Sequence, residues 1–472
     1  MTTDRTQRLV ELDRRHVWHP FTQMQGWITD EEVVVIEQGR GCWLTDSEGR
    51  RYLDGVSSLW CNVHGHRVDV IDEAIRRQLD RVAHSTLLGL ANVPSIELAV
   101  RLTAAAPPGL TRVFYSDAGA TAVEAALKIA FQYQVQRGER GRTRFAALGQ
   151  AYHGDTVGSV SLGGIEVMHG LFDPLRFETV RIPAPHCYRC PLEYERERCS
   201  MECADEADRI LADHASTLAG LVVEPLVQGA AGIIVHPPGY LARLRAACDR
   251  LGLLLVADEV AVGFGRTGSL FACTQEHVCP DLLCLGKGLS GGYLPLAATL
   301  ATDSVFEAFL GSHDRTFFHG HTYTGNPLGC AAALASLDLL EEQMAGMGSR
   351  IQLLDTLLAE RVQPLRQVGD VRRKGLMVGI ELVQDRVRRQ PYPPAWRIGH
   401  RVIVEARRLG VILRPLGDVV VLMPPLAMAE EELDLLVHVT GRAIQTVTEG
   451  PSGAGTGHTK GSSGGLPVAG SD

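Results

Sequence analysis

No stretch of the 472-residue chain approaches the roughly 18 consecutive apolar residues that a membrane helix needs. The opening residues, MTTDRTQRLVELDRRH, hold no apolar core and no small-residue cleavage pattern, which argues against a secretory leader. Positive charge is not in excess either. Forty-six Lys and Arg face 55 Asp and Glu, a net charge of −9, which disfavours a general partner for nucleic acid or anionic lipid. The 11 cysteines are odd in number and scattered, so the expectation is reduced thiols in the cytoplasm rather than a disulfide framework. There is no internal repeat. Two phosphate-binding patterns also fail on inspection. GFGRTG (263–268) is separated from its strand by DEVAV, no clear helix follows it, and the acidic residue of a dinucleotide site is missing. GKGLS lacks the first glycine of a phosphate loop, because position 281 is Asp.

What remains is an ordinary globular composition, 45% hydrophobic and 21% charged, in a chain long enough for a large core and a satellite. Residues 33–56 alternate as strands with turns at GRG and DSEG, whereas the first 30 residues show no long periodic segment. From about 70 to 300, apolar strands (TRVFYSD, RFAALG, GLVVEPL, LLLVADEV, DLLCLGK) alternate with helical stretches, the rhythm of a mainly parallel sheet covered by helices. One long helix follows GNPLGC, running from AAALASL to LLAERV. LMVGIELV, VILRPL and VVVLMPPL then mix with two helical stretches. The expected layout is an N-terminal segment at 1–70 that contributes to the small domain and the site. A large α/β domain follows at 71–325, a small α+β domain at 326–450, and a disordered Gly/Ser-rich tail at 451–472.

Four local features carry chemistry. Lys287 stands between Gly286 and Gly288 amid apolar strands, as if something flat approached its backbone. Asp258 ends the apolar run LLLVA, where an α/β sheet keeps its ligand crevice; alone, it could equally be a helix cap. Gly119 and Ala120 open a strongly helical run with free backbone N–H groups, a place for phosphate oxygens or merely a strand-to-helix turn. Tyr152 in AYHGDT can stack on a planar ring or fill a core edge. Together, an amine, a strand-end carboxylate, an anion-binding helix start and an aromatic plate are the parts that pyridoxal phosphate requires. The amine tethers the cofactor and the carboxylate keeps its pyridine nitrogen protonated.

At these residues the chain resembles the class III aminotransferases of the fold-type-I pyridoxal-phosphate enzymes, from about residue 10 to 448. The resemblance is carried by VADEVAVGFGRTG, CLGKGLSGGYLP and FFHGHTYTGNPLGCAAAL. Within the class, WHPFTQM, LDGVSSLWCNVHGH, AYHGDTVGSVSLGG, EPLVQGAAG and RPLGDVVVLMPP are similar to the branch that aminates 8-amino-7-oxononanoate in biotin biosynthesis. The resemblance implies a shared-site homodimer in which Lys287 tethers the cofactor and moves protons, and Asp258 meets the pyridine nitrogen. Tyr152 would stack near the ring, and Gly119 and Ala120 would cradle the phosphate. Gly320, His321 and Thr322 would come from a partner subunit, with His321 and Thr322 near the cofactor. Phe21, Trp60, Tyr152, Lys287, Gly320 and Arg414 would contact substrate, Arg414 through its carboxylate, with Arg266 as a more distal second arginine. A different ω-amino acid or diamine transaminase of the same class is the alternative, and an idle cofactor-binding protein is another.

The chain departs from the usual pattern at Phe21, Leu59 and Ala120, where Tyr, Trp and Ser are usual. The first two leave the donor open between S-adenosylmethionine and L-lysine, with a lean toward lysine. One stretch has no role in transamination. Cys187, Cys190, Cys199 and Cys203 in HCYRCPLEYERERCSMEC have a spacing that can hold zinc, or are simply reduced thiols on a loop; no metal is assigned to the site itself.

Overall fold

The computed structural model describes residues 3–449, so the tail expected at 451–472 lies outside the described residues. The stretch 33–56 forms a meander of β1 (Ile36–Arg40), β2 (Trp43–Asp46) and β3 (Arg51–Asp54). Gly41 and Gly49 take positive φ at its two turns, a conformation that favours glycine.

Seven strands build the main sheet: β4 (Leu110–Ser116), β5 (Arg144–Leu148), β6 (Thr179–Ile182) and β7 (Leu218–Val223), then, after a small hairpin of β8 (Val227–Gln228) and β9 (Ile234–Val235), β10 (Leu254–Asp258), β11 (Leu282–Leu285) and β12 (Ala297–Thr302). Their order is β4-β12-β11-β10-β7-β5-β6, and only β12 runs against its neighbours. Every residue of β7, β10 and β11 is buried. Helices cover both faces, which explains continuous rather than alternating apolar runs. Each leucine so buried contributes about 2 kcal/mol.

The last third of the chain adds β13 (Val368–Lys374), β14 (Met377–Leu382), β15 (Val411–Ile412), β16 (Arg414–Leu416) and β17 (Val419–Leu422). VILRPL, which reads as one strand, is divided at Leu413. β15 pairs in parallel with β3, while β16 joins the sheet β13-β14-β17-β16. The division ties the two ends of the chain together, with Gly55 N donating to Ile412 O at 3.0 Å and Met423 N to Gly55 O at 2.9 Å. It also places Arg414 at the head of its strand.

Two helical expectations need correction. Asp4–His16 is helical, capped by the Thr3 side chain, with Asp4 in its first turn and Arg14, Arg15 and His16 in its last. Its polar composition hides the period while its termini suit the helix dipole. The long helix after GNPLGC is two, Pro327–Met344 and Met347–Arg361, interrupted at Gly346, the poorest helix former short of proline. The four cysteines of that stretch are free thiols, with Cys187, Cys190 and Cys199 on the loop and Cys203 in the helix Glu202–His214 rather than on it. Among the described residues no group of three or more His, Cys, Asp or Glu side chains is placed to hold a metal ion. Cys199 Sγ instead donates to Glu202 Oε2 at 3.0 Å, and burial pushes the Cys203 thiol up to about 12.

Candidate active site

The carboxyl ends of the parallel strands converge on one crevice, as the sheet topology requires. Gly119 and Ala120 follow β4, Tyr152 follows β5, Glu224 follows β7, Asp258 ends β10 and Lys287 follows β11. These residues and Trp60 line a single cavity of about 420 Å³. The amine and the carboxylate singled out from sequence therefore face the same space.

Lys287 takes a left-handed backbone, φ 40°, which no β-carbon-bearing residue adopts freely. Of its flanking glycines, Gly288 has a different reason from the one read in sequence. A Cβ on Gly288 would sit 2.9 Å from Phe264 Cβ, and one on Gly286 would meet Gly119 Cα and Val260 Cγ1 at 3.4 Å. At Gly288 it is protein neighbours that approach closely, whereas a side chain at Gly286 would make only ordinary contacts. Burial lowers the Lys287 ammonium, an effect partly opposed by the charges of Asp258 and Glu224. A lowered ammonium leaves more free amine, the form that attacks a carbonyl and accepts protons. The Trp60 ring centroid lies 5.5 Å from Lys287 Nζ, and its buried Nε1 has no hydrogen-bond partner among the described residues.

Asp258 is held from two sides. His153 Nδ1 donates to its Oδ2 at 2.7 Å and Val260 N to its Oδ1 at 3.0 Å. The 18-residue helix Gly119–Gln136 begins at Ala118, whose side chain can cap nothing. Its first N–H groups therefore point outward with the positive end of the helix dipole behind them. A Cβ at Gly119 would collide with Val260, so this cradle accepts only glycine there. An amine, a strand-end carboxylate and an uncapped helix start around one cavity fit pyridoxal phosphate. Lys287 would tether it, Asp258 would hold its ring nitrogen, and Gly119 and Ala120 would hold its phosphate.

Sequence reasoning assigned no role to Glu224, His153 or Asp155. Glu224 carries the same signal as Asp258, a carboxylate after an apolar strand. Its Oε1 accepts from Tyr152 N at 3.2 Å and its Oε2 from Gly229 N at 2.8 Å. Asp155 accepts the Tyr152 hydroxyl at 2.7 Å, and that ring stacks on His169, centroids 6.0 Å apart. Burial raises the Glu224 carboxyl from 4.5 to about 7, against the nearby His153 and the two backbone donors. The folded chain thus retains a proton that the unfolded chain releases. Stability from this group is intact below pH 4.5 and lost as pH rises through about 7. Glu224→Gln is expected to flatten the Tm–pH curve of the cofactor-free protein in that window, by on the order of 3 kcal/mol at most. An unchanged slope in a thermal melt series would contradict this.

Arg414 sits half-buried beside Tyr152 and makes no ion pair or side-chain hydrogen bond among the described residues; burial lowers its guanidinium. Arg266 is 1% exposed and lies behind the cavity wall, not in it. It donates to the carbonyl oxygens of Pro424 (2.6 Å), Asn62 (3.1 Å) and Trp60 (3.4 Å), which makes it a clamp on backbone rather than a substrate contact. Phe21 and Leu59 are 59% and 44% exposed and do not line the cavity. Gly320, His321 and Thr322 lie on an irregular segment outside the same chain's cavity, Gly320 and Thr322 exposed.

Residues 28–444 match the family model of the class-III aminotransferases. The adenosylmethionine-8-amino-7-oxononanoate aminotransferase of Nitratidesulfovibrio vulgaris (strain Hildenborough) is 62% identical over 451 residues, 94% of this chain and 83% of that protein. The crystal structure of the enzyme of that name from Methanocaldococcus jannaschii superposes with a TM-score of 0.89 at 44% identity, covering 93% of this chain and 99% of that one. An amine transaminase from an uncultivated Pseudomonas species, solved in its PLP-bound form, superposes with a TM-score of 0.85 at 39% identity, covering 92% and 98%.

Proposed function

The chain belongs to the class-III aminotransferases, and from that premise we propose that it transfers an amino group to 8-amino-7-oxononanoate, giving 7,8-diaminononanoate in biotin biosynthesis, with S-adenosylmethionine as donor. The observation that carries the reading is the shared cavity of Lys287 and Asp258, with the helix start Gly119–Ala120 on its rim. The donor follows the relatives' names. The lean toward lysine rested on Phe21 and Leu59, and it yields here to the donor that the relatives' names carry.

Pyridoxal phosphate, when bound, supplies the electron-withdrawing ring that makes a proton on the amine-bearing carbon removable. The chain's residues do the rest. Lys287 Nζ takes that proton from the donor and, in the second half of the cycle, returns one to the keto carbon of the acceptor. Asp258, fixed by His153 and Val260 N, keeps negative charge at the end of the cavity where the ring nitrogen needs it. Trp60 and Tyr152 exclude water from the lysine. The guanidinium of Arg414, near Tyr152, offers a planar fork to the substrate carboxylate.

Arg414→Ala is expected to raise KM for 8-amino-7-oxononanoate about 100-fold with a smaller change in kcat, because the fork binds a group that does not react. Initial rates against acceptor concentration check it, and an unchanged KM would contradict the assignment. Accumulation of alanine from pyruvate, with none of the diamine from 8-amino-7-oxononanoate, would overturn the substrate reading.

The reading includes a homodimer with shared sites, and Trp18, Leu88, Val167, Leu171 and Phe318 are apolar side chains that the single chain leaves exposed. In that assembly the segment 320–322 of one subunit would complete the site of the other, with His321 and Thr322 near the phosphate. Phe21 would reach the substrate from the cavity mouth. Free thiols suit a reducing compartment, which we take to be the cytoplasm.

A further inference from the structure

Three of the four residues from Ser57 to Trp60 take a positive φ: Ser57 at 53°, Ser58 at 59° and Trp60 at 66°. None is glycine, so the surrounding structure must impose this turn. What it achieves is visible at its end, where the Trp60 indole stands over Lys287 Nζ.

The constraint comes from Asp54, at the end of β3 and 0% exposed. Its Oδ1 accepts from Val56 N (3.2 Å) and Ser58 N (3.1 Å), and its Oδ2 accepts from Ser58 N (2.8 Å) and His66 Nε2 (3.0 Å). The direction of the last bond follows from its neighbours. Gly65 N donates to Asn62 Oδ1 at 2.8 Å, which turns the Asn62 amide nitrogen toward His66 Nδ1 at 3.0 Å. Nδ1 is then the acceptor and Nε2–H the donor to Asp54. From the opposite side, Arg266 grips the carbonyl oxygens of Trp60 and Asn62. A buried acid and a buried guanidinium thus hold one strained turn between them.

We propose that Asp54, oriented through His66 and Asn62, is a positioning residue of the amination site: it fixes the 57–60 turn so that Trp60 forms the wall over Lys287 against which the acceptor packs. Asp54 touches neither cofactor nor substrate and acts only through Trp60. The inference rests on the transaminase reading above.

A double-mutant cycle on the cofactor-loaded enzyme tests it. Asp54→Asn keeps the volume but replaces an acceptor of Ser58 N and His66 Nε2–H with a donor. It is expected to raise KM for 8-amino-7-oxononanoate about tenfold, more than it lowers kcat. In a Trp60→Ala background the same change should alter KM less than about twofold, because the residue it acts through is gone. Pyridoxal phosphate affinity in equilibrium dialysis should move less than about twofold. If Asp54→Asn does not fold, His66→Gln carries the same cycle with an effect of about threefold. Equal effects in both backgrounds, or an effect confined to Tm and cofactor affinity, would overturn the proposal. Absence of the activity in the wild-type enzyme would instead sink the functional reading beneath it.

Discussion

Replacing Lys287 with alanine is expected to leave a folded chain whose turnover is reduced by at least about 10⁴-fold. The magnitude follows from asking one side chain to supply both the covalent tether and the moving proton. No second amine lines the cavity to take over either role. Stability should survive, because the change removes a desolvated amine whose burial already disfavours its charge. A thermal melt within a few degrees of wild type, beside the lost activity, is the anticipated pair of results. Turnover within tenfold of wild type would contradict the role.

The second large effect is expected at Asp258. Asp258→Asn keeps the shape of the side chain and an acceptor for Val260 N, but removes the negative charge and presents an amide where His153 Nδ1–H needs an acceptor. A fall in kcat of about 10³-fold is anticipated, the scale of losing one preorganised electrostatic partner in a water-excluded site. Asp258→Glu should recover part of that loss, because charge matters more here than reach. The discriminating measurement is single-turnover kinetics with donor alone, which isolates the proton-removal step. A slow first half-reaction with ordinary donor binding supports the role, whereas an unchanged rate of that step contradicts it.

Much of this was legible in the sequence for a physical reason. Strands buried on both faces must be written as unbroken apolar runs, so a charged residue ending such a run marks the crevice. LLLVAD and DLLCLGK announce Asp258 and Lys287 in that way, and the start of an amphiphilic helix with no capping side chain announces Gly119 and Ala120. Glu224 carried the same mark in GLVVE and could have been found by applying the rule once more. Other parts depended on long-range pairing that no local pattern encodes. The division of VILRPL depends on β3, more than 350 positions earlier, offering an edge to Val411 and Ile412. The polar strand VGDVRRK shows no apolar period because its exposure is intermediate along most of its length. The reading of Gly288 as space for a ligand failed because a glycine reports close approach without saying what approaches; here it is Phe264 and Val63. LDGVSSLWCNVHGH marked a family, but its one aspartate acquires a role only when Asp54, His66 and Trp60 are seen around one turn.

The chain contains four lysines, Lys128, Lys287, Lys374 and Lys460, which makes the covalent claim unusually clean to test. Borohydride reduction of the pyridoxal-phosphate-loaded protein, followed by peptide mass mapping, should place the cofactor's mass on the peptide containing Lys287 and on no other. Prior incubation with donor should abolish that label by converting the cofactor to its amine form. A label on Lys128 or Lys374, or a label on Lys287 that donor leaves untouched, would contradict the account.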